Sequence, residues 1–138
     1  MEIRFIAHAL IHGREGKILI LRRSKQNDVL PGYWDIPGGT VEEAEEPVAA
    51  AIRETKEEAG LDISDLKPLF QTSNIDRSKN IEFVTIVYLA QTKETEVMLN
   101  ADEHDMFEWI DPADVLNYIT VNYLPKVVQK SIGMGHFN

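Results

Sequence analysis

The chain contains no cysteine. This absence excludes disulfide bonds, a thiolate nucleophile and a zinc site built on cysteine. Long apolar runs are missing as well, since no stretch approaches the roughly 18 consecutive apolar residues of a membrane-spanning helix. The first ten residues, MEIRFIAHAL, mix charged and apolar side chains and lack a signal-peptide cleavage site. We therefore expect a cytoplasmic protein with no membrane partner.

Positive charge is scarce. Lys and Arg number 14 against 23 Asp and Glu, which gives a formal net charge of -9. Duplex nucleic acid is a poor partner for such a chain, because its phosphate backbone binds proteins rich in Lys and Arg. A small phosphorylated substrate remains compatible with this charge where metal ions and a few local Arg or Lys residues neutralise it.

The 138 residues, of which 43% are hydrophobic and 27% charged, predict one globular domain spanning residues 1–138. Apolar, β-branched runs at residues 4–12 and 16–23 flank a glycine-containing turn and predict an antiparallel hairpin. Residues 24–33 are expected to form a loop. The remaining predicted elements are strands at 34–36, 66–72, 81–91, 96–99 and 106–110, a polar connection at 74–80, helices at 112–118 and 123–132, and a frayed end at 133–138. Mainly hairpin strands with few helices indicate an α+β sandwich.

A helix is predicted between Glu46 and Gly60. Pro47 suits its first turn, because the backbone N–H that proline lacks would have no partner within the helix there. Gly60 suits its end, where the backbone often adopts a left-handed conformation. Helical spacing places one apolar stripe toward the core, formed by Val48, Ile52, Thr55 and Ala59.

Three acidic residues of this helix share one flank. Glu54, Glu57 and Glu58 stand at positions i, i+3 and i+4, so their side chains gather and repel one another. A divalent cation reverses the sign of that interaction, because hard ions such as Mg²⁺ bind carboxylate oxygens. The spacing therefore points to a metal site at the edge of a cleft.

Residues 39–61 resemble the Nudix box, G-x5-E-x7-R-E-U-x-E-E-x-G-U, where U is a bulky aliphatic residue. The glycine, the acids, the Arg53-Glu54 pair and the Gly60-Leu61 end are all in register over 23 positions. One departure is Thr55, which stands in an aliphatic position; its hydroxyl is able to bond back to a carbonyl one turn earlier. The resemblance implies an α/β/α sandwich with a mixed central β-sheet, a catalytic loop-helix and a C-terminal helix.

The resemblance also implies roles for residues of the box. Nudix hydrolases cleave a diphosphate linkage of a nucleoside diphosphate derivative by attack of a metal-activated water. By position, the Gly38 carbonyl and the carboxylates of Glu54, Glu57 and Glu58 would hold Mg²⁺ or Mn²⁺. Arg53 would orient the glutamates through charge-assisted hydrogen bonds.

The general base varies across the family, and two candidates stay open here. One is Glu54 in the box. The other is Glu103, which stands six residues before Trp109, a spacing that resembles triphosphate-cleaving members and makes Glu103 a second candidate metal ligand. Its alternative is a plain acidic surface loop.

Four residues are candidate substrate contacts. Arg23 ends the second strand, although an exposed strand end would explain it equally. Trp34 and Trp109 are candidates for stacking on a base, with a core position as the alternative. Asn122 precedes the last helix, where some relatives read a base edge, and a helix cap is its ordinary explanation.

The leading hypothesis is a nucleoside triphosphate pyrophosphohydrolase of the Nudix family. The alternatives are an ADP-ribose or nucleotide-sugar pyrophosphatase, an RNA 5′-end pyrophosphohydrolase, and a Nudix module that binds a nucleotide without cleaving it. Retention of every box glutamate favours an enzyme over the last of these. The substrate, the number of metal ions, and a monomer or homodimer are left open by the sequence.

Overall fold

A computed structural model describes residues 1–134 of the chain. Within them seven strands form one mixed sheet, and two α-helices and two short 3₁₀ helices complete the fold. The strands are β1 (Glu2–His12), β2 (Ile18–Arg23), β3 (Trp34–Asp35), β4 (Gly38–Thr40), β5 (Ser64–Asp76), β6 (Ile81–Gln91) and β7 (His104–Ile110). The helices are α1 (Pro47–Ala59) and α2 (Leu124–Gly133), and the 3₁₀ helices are Arg14–Gly16 and Pro112–Asn117.

Strand β1 lies at the centre of the sheet, whose order is β3-β2-β1-β6-β5. It pairs in parallel with β6 from Glu2 to His12, and its other side pairs with β4 and β2, while β7 pairs with β2. The expected hairpin is therefore wrong in extent: β1 and β2 pair only at His12 and Ile18, next to the turn. Long-range partners, which local sequence patterns do not report, take up the rest of both strands.

Both faces of the central strands are buried, and each face carries one helix. Along β2, Leu19 and Leu21 belong to the hydrophobic cluster under α1, while Ile18 and Ile20 belong to the cluster under α2. This two-residue alternation is the pleat of the strand. Two helical layers thus enclose one mixed sheet, which confirms the predicted α/β/α sandwich.

Helix α1 begins and ends where the sequence predicts. Pro47 occupies the first turn, and Gly60 follows the last residue with φ of 71°, while its N–H donates to the Lys56 carbonyl at 3.0 Å. Thr55 is fully buried, and its hydroxyl donates to the carbonyl of Ala51 at 2.7 Å, as expected. The substitution in the box therefore leaves no buried hydroxyl unpaired.

The predicted core stripe of α1 is partly wrong. Ile52 is 41% exposed, and the buried face of α1 is formed by Ala50, Ala51, Thr55, Glu58 and Ala59. Alanine-sized side chains on the helix meet Ala7 and Ala9 of β1 in the same cluster. Small residues on both sides let the helix axis lie close to the sheet. The alanines of α1 that face Ala7 and Ala9 are therefore buried, while the larger Ile52 lies outside this contact.

The other elements differ from expectation in detail. Residues 96–99 are not a strand, β5 continues to Asp76 into the predicted connection, and a short strand, β4, forms at Gly38–Thr40. The expected fraying of residues 133–138 falls mostly outside the described residues, which end at 134. No helix within residues 1–134 is long and apolar enough to cross a membrane.

Replacing Gly60 by alanine tests the end of α1. The left-handed φ of 71° disfavours any residue with a Cβ, and the new Cβ would lie 3.1 Å from the Cβ of Met98. We expect the free energy of unfolding to fall by about 1–2 kcal/mol in urea titration. Gly133→Ala is the matched control, since a Cβ there meets nothing within 4 Å, and equal stability of the two variants would contradict the prediction.

Candidate active site

A cleft of about 790 Å³ opens between the N-terminal end of α2, the loop after β2, and the junction of β4 with α1. Six of the residues predicted from the sequence line it: Arg23, Gly38, Glu54, Glu58, Glu103 and Asn122. These residues are far apart in the chain. The fold therefore gathers most of the predicted site around one cavity.

Two carboxylates of α1, those of Glu54 and Glu58, form the floor of this cleft. Glu58 is 7% exposed, and its carboxyl group lies beside that of Glu54. Burial, followed by the neighbouring Glu54, raises the pKa of Glu58 to about 9. The backbone N–H of Gly38 also donates to Glu58 Oε1 at 3.3 Å. In the protein without a cation, Glu58 holds a proton at neutral pH.

Only glycine fits at the two backbone positions of β4 that lie next to these carboxylates. A Cβ on Gly39 would lie 2.6 Å from the carboxyl carbon of Glu54. A Cβ on Gly38 would collide with the ring of His8 and the carbonyl oxygen of Ala7. The absence of a side chain at Gly39 lets the backbone approach Glu54 of α1, and its absence at Gly38 leaves room for His8 and the Ala7 carbonyl.

Arg53 connects the helix to the preceding loop. Its guanidinium donates to both carboxylate oxygens of Glu45, at 2.8 and 3.0 Å, to Glu54 Oε1 at 2.9 Å and to the Thr40 carbonyl at 3.1 Å. The bidentate contact, supported by the N–H of Glu42, lowers the pKa of Glu45 to about 2. Arg53 thus contacts Glu54 as the sequence suggested, and Glu45 ties the loop to the helix.

Glu57 does not join the floor of the cleft. Its side chain is 55% exposed and lies 3.4 Å from Arg53, and it does not line the cavity. Within residues 1–134 no group of three His, Asp or Glu side chains is close enough to form a metal cage. The residues that do converge are Glu54, Glu58 and the glycine backbone.

This oxygen-rich set fits a hard divalent cation. Mg²⁺ is commonly held by one or two carboxylates, with water and substrate phosphate completing its shell. In the absence of a cation, a buried pair of carboxylates shares a proton. A divalent cation that binds the pair replaces this proton.

Glu103 lies on the opposite rim, in the turn before β7. Its carboxylate is exposed, and it forms no hydrogen bond or ion pair to any residue in the described part of the chain. Its backbone carbonyl, in contrast, accepts from Ser24 N–H at 2.9 Å and from the Asn27 amide at 3.2 Å. The backbone of the turn is held in place while the acid itself faces the cleft.

Arg23 is a half-buried residue of the cleft wall rather than an exposed strand end. It donates to the Val29 carbonyl at 2.7 Å and to Asn27 Oδ1 at 2.8 Å, and it lies 3.6 Å from Asp35. Asn122 is exposed at the rim, and Tyr123, not Asn122, is the capping residue of α2. Its predicted alternative as a helix cap is therefore wrong.

The two tryptophans do not line the cleft. Trp34 is buried in the core, where its ring meets Tyr118 edge-to-face at 5.3 Å between centroids. Trp109 packs against Gly13 and the cluster under α1, and its indole N–H has no hydrogen-bond partner in residues 1–134. Both positions correspond to the core alternative, so the structure does not bring either ring to a substrate.

Sequence reasoning missed several residues of the cleft. Asp35 is buried at its base, where Oδ1 accepts from the Tyr123 hydroxyl at 2.9 Å and from Ile36 N–H at 2.7 Å. Burial lowers the pKa of the nearby His104 to about 4, so this ring is neutral at pH 7. An acid inside the otherwise apolar run before Pro37 was the available signal for Asp35, and Tyr123 gave none.

The chain is similar to known proteins over most of its length. Residues 3–130 match the NUDIX domain. Among curated proteins, nucleoside triphosphatase NudI of Escherichia coli is 28% identical over 127 residues, which cover 86% of this chain and 89% of that protein. An octanoyltransferase of Myxococcus xanthus is 29% identical over 138 residues, or 94% of this chain, which spans only 36% of that relative's length.

A solved structure of similar size superposes on most of the chain. The MutT NUDIX hydrolase from Burkholderia pseudomallei gives a TM-score of 0.81 at 26% identity, and the match covers 94% of this chain and 98% of that one.

Glu58→Gln tests the buried carboxylate pair. Because the folded pKa of Glu58 is raised from 4.5 to about 9, wild-type stability should fall as pH rises through this window, whereas glutamine cannot ionise. In EDTA, we expect the variant to be similar to wild type at pH 5 and more stable by on the order of 1 kcal/mol or more at pH 8. Glu57→Gln, at the exposed position, should show no such gain; parallel pH curves for wild type and Glu58→Gln would contradict the assignment.

Proposed function

The chain belongs to the NUDIX domain family of hydrolases, and we propose that it is a divalent-cation-dependent pyrophosphohydrolase that converts a nucleoside triphosphate to the monophosphate and pyrophosphate. The observation that carries this proposal is the Glu54–Glu58 pair, held against the bare backbone of Gly38 and Gly39 at the base of a cleft. The NudI relative, named as a nucleoside triphosphatase, supports the choice of triphosphate.

The cation would be Mg²⁺ or Mn²⁺, held by Glu54, Glu58 and the carbonyl of Gly38. Glu57 is turned to Arg53 and Glu103 lies on the opposite rim, so neither carboxylate is counted among these ligands. When bound, such an ion polarises phosphoryl oxygens and makes a coordinated water more acidic. The chain's own contribution is to hold both carboxylates in place. Arg53 fixes one oxygen of Glu54, and Gly38 N–H fixes one oxygen of Glu58.

We assign the general base to Glu103 and a ligand role to Glu54. Glu54 is already engaged by Arg53 and Glu58, whereas the exposed carboxylate of Glu103 has no partner in residues 1–134 and faces the same cleft. In the reaction, water forms a bond to the α- or β-phosphorus of the triphosphate as the bond from that phosphorus to the oxygen bridging the two breaks. The base takes a proton of the water, and the products are the nucleoside monophosphate and pyrophosphate.

Substrate binding is assigned to the end of the cleft that contains Arg23 and Asn122. Arg23 is held by Asn27 and Val29 and lies 3.6 Å from Asp35, and Asn122 offers an amide at the rim. Trp34 and Trp109 are left out of this assignment because neither ring lines the cavity. The acidic protein thus presents a local cation where a phosphorylated ligand would enter.

A substrate panel tests the proposed function. We expect release of pyrophosphate from one or more nucleoside triphosphates with Mg²⁺ or Mn²⁺, no release in EDTA, and a loss of orders of magnitude in Glu58→Gln. Preferred cleavage of ADP-ribose, a nucleotide sugar or a 5′-triphosphorylated RNA would move the chain to those classes. Absence of turnover on every substrate would indicate a binding module.

Glu103→Gln and Glu54→Gln separate the base from the ligand. For Glu103→Gln we expect kcat to fall about 10²–10⁴-fold, with little change in KM or in the dissociation constant of Mn²⁺. For Glu54→Gln we expect weaker Mn²⁺ binding, measured by paramagnetic resonance or calorimetry. The reverse pattern would return the base to Glu54.

A further inference from the structure

The loop after β2 and the turn that carries Glu103 are hydrogen-bonded to each other although some 75 residues separate them. Ser24 donates twice to this turn, from its N–H to the Glu103 carbonyl at 2.9 Å and from its hydroxyl to the Asp102 carbonyl at 2.9 Å. Asn27 adds a third contact, from Nδ2 to the Glu103 carbonyl at 3.2 Å. The two segments therefore form one wall of the cleft.

Asn27 uses both ends of its amide in this wall. Its Oδ1 accepts from Arg23 Nη2 at 2.8 Å, while its Nδ2 donates to Glu103. The orientation of the amide is fixed by chemistry, because a guanidinium only donates and a carbonyl only accepts. Asn27 is thus a bridge between the proposed substrate-binding arginine and the backbone of the proposed base.

The bridge has a consequence for Glu103. The Glu103 carboxylate has no partner of its own in residues 1–134, so its position depends on its backbone. That backbone is held by Glu103 N–H donating to the Asn100 carbonyl at 3.0 Å and by its own carbonyl accepting from Ser24 and Asn27. Ser24 is buried and anchors the turn, while half-buried Asn27 links the turn to the cleft side chains.

We propose that Asn27 is a positioning residue that sets the placement of Glu103 relative to Arg23, and hence the rate of the chemical step. The proposal rests on the proposed function, in which Glu103 is the base. Asn27 itself touches neither the carboxylate pair nor the Glu103 side chain. Its effect on the reaction passes through the backbone of Glu103 and the guanidinium of Arg23.

Asn27→Asp separates the two contacts because it keeps the shape of the side chain. One carboxylate oxygen still accepts from Arg23, but the other replaces a donor and faces the Glu103 carbonyl oxygen. We expect kcat to fall about tenfold or more, since small misplacement of a catalytic group lowers the rate steeply. KM should rise as well, because the new carboxylate pairs with the Arg23 guanidinium that is proposed to bind the phosphorylated substrate. In Asn27→Ala both contacts are lost, so kcat should fall and KM should rise.

Gln26→Glu is the matched control, because it adds the same charge at the neighbouring exposed position and should leave kcat and KM as in wild type. The decisive measurement is a double-mutant cycle with Glu103→Gln. If Asn27 acts through Glu103, Asn27→Asp should lower kcat much less in the Glu103→Gln background than in wild type. Equal losses in both backgrounds would overturn the proposal.

Hydrogen exchange measured by mass spectrometry keeps this test independent of turnover. Peptides covering residues 22–28 and 99–105 should exchange faster in Asn27→Asp than in Gln26→Glu or wild type, because Ser24 N–H and the Glu103 turn lose a shared anchor. Wild-type protein that cleaves no substrate would refute the proposed function alone. Unchanged exchange in Asn27→Asp would refute the positioning role, whatever the activity.

Discussion

Contact between two carboxylates and a bare stretch of backbone is the constraint on which the rest of the structure depends. Glu58 is buried beside Glu54, and burial raises its pKa to about 9. That arrangement requires α1 to lie close to β4, where no side chain fits at Gly38 or Gly39. Without a cation, burial and mutual repulsion disfavour ionisation of both carboxyl groups. A hard divalent ion removes this repulsion, so the same pair suits the binding of such an ion.

The packing of α1 follows from the same requirement. Ala50, Ala51 and Ala59 face the small residues of β1, so the helix approaches the sheet closely and carries its acids to the cleft. Arg53 partly neutralises the acids at the start of the cleft, because it donates hydrogen bonds to Glu45 and to one oxygen of Glu54. A helix whose acids repel one another is thus held by a salt-bridged loop and a tight alanine interface rather than by a large apolar stripe.

Local patterns predicted the parts of the fold that local geometry decides. Pro47 and Gly60 marked the ends of α1, and residues 81–91 were predicted as a strand with the observed bounds. Where partners come from distant segments, the same patterns failed: the hairpin after His12 is one residue pair long, because β1 pairs with β6 instead. The exposure of Ile52 was missed for a related reason, since helix–sheet distance is set by residues on both sides of the interface.

The sequence by itself determined the family and the residues of the box, because their spacing on one loop and one helix is a local property. It could not separate Glu57, turned to Arg53 at the surface, from Glu58, buried at the base of the cleft, since both lie on the same flank of an isolated helix. Only the tertiary structure decided that difference. It also placed Asp35 at the base of the cleft and joined Asn27 to the turn that carries Glu103, because Tyr123 and Glu103 lie more than 70 residues away from them and no short-range pattern connects these pairs.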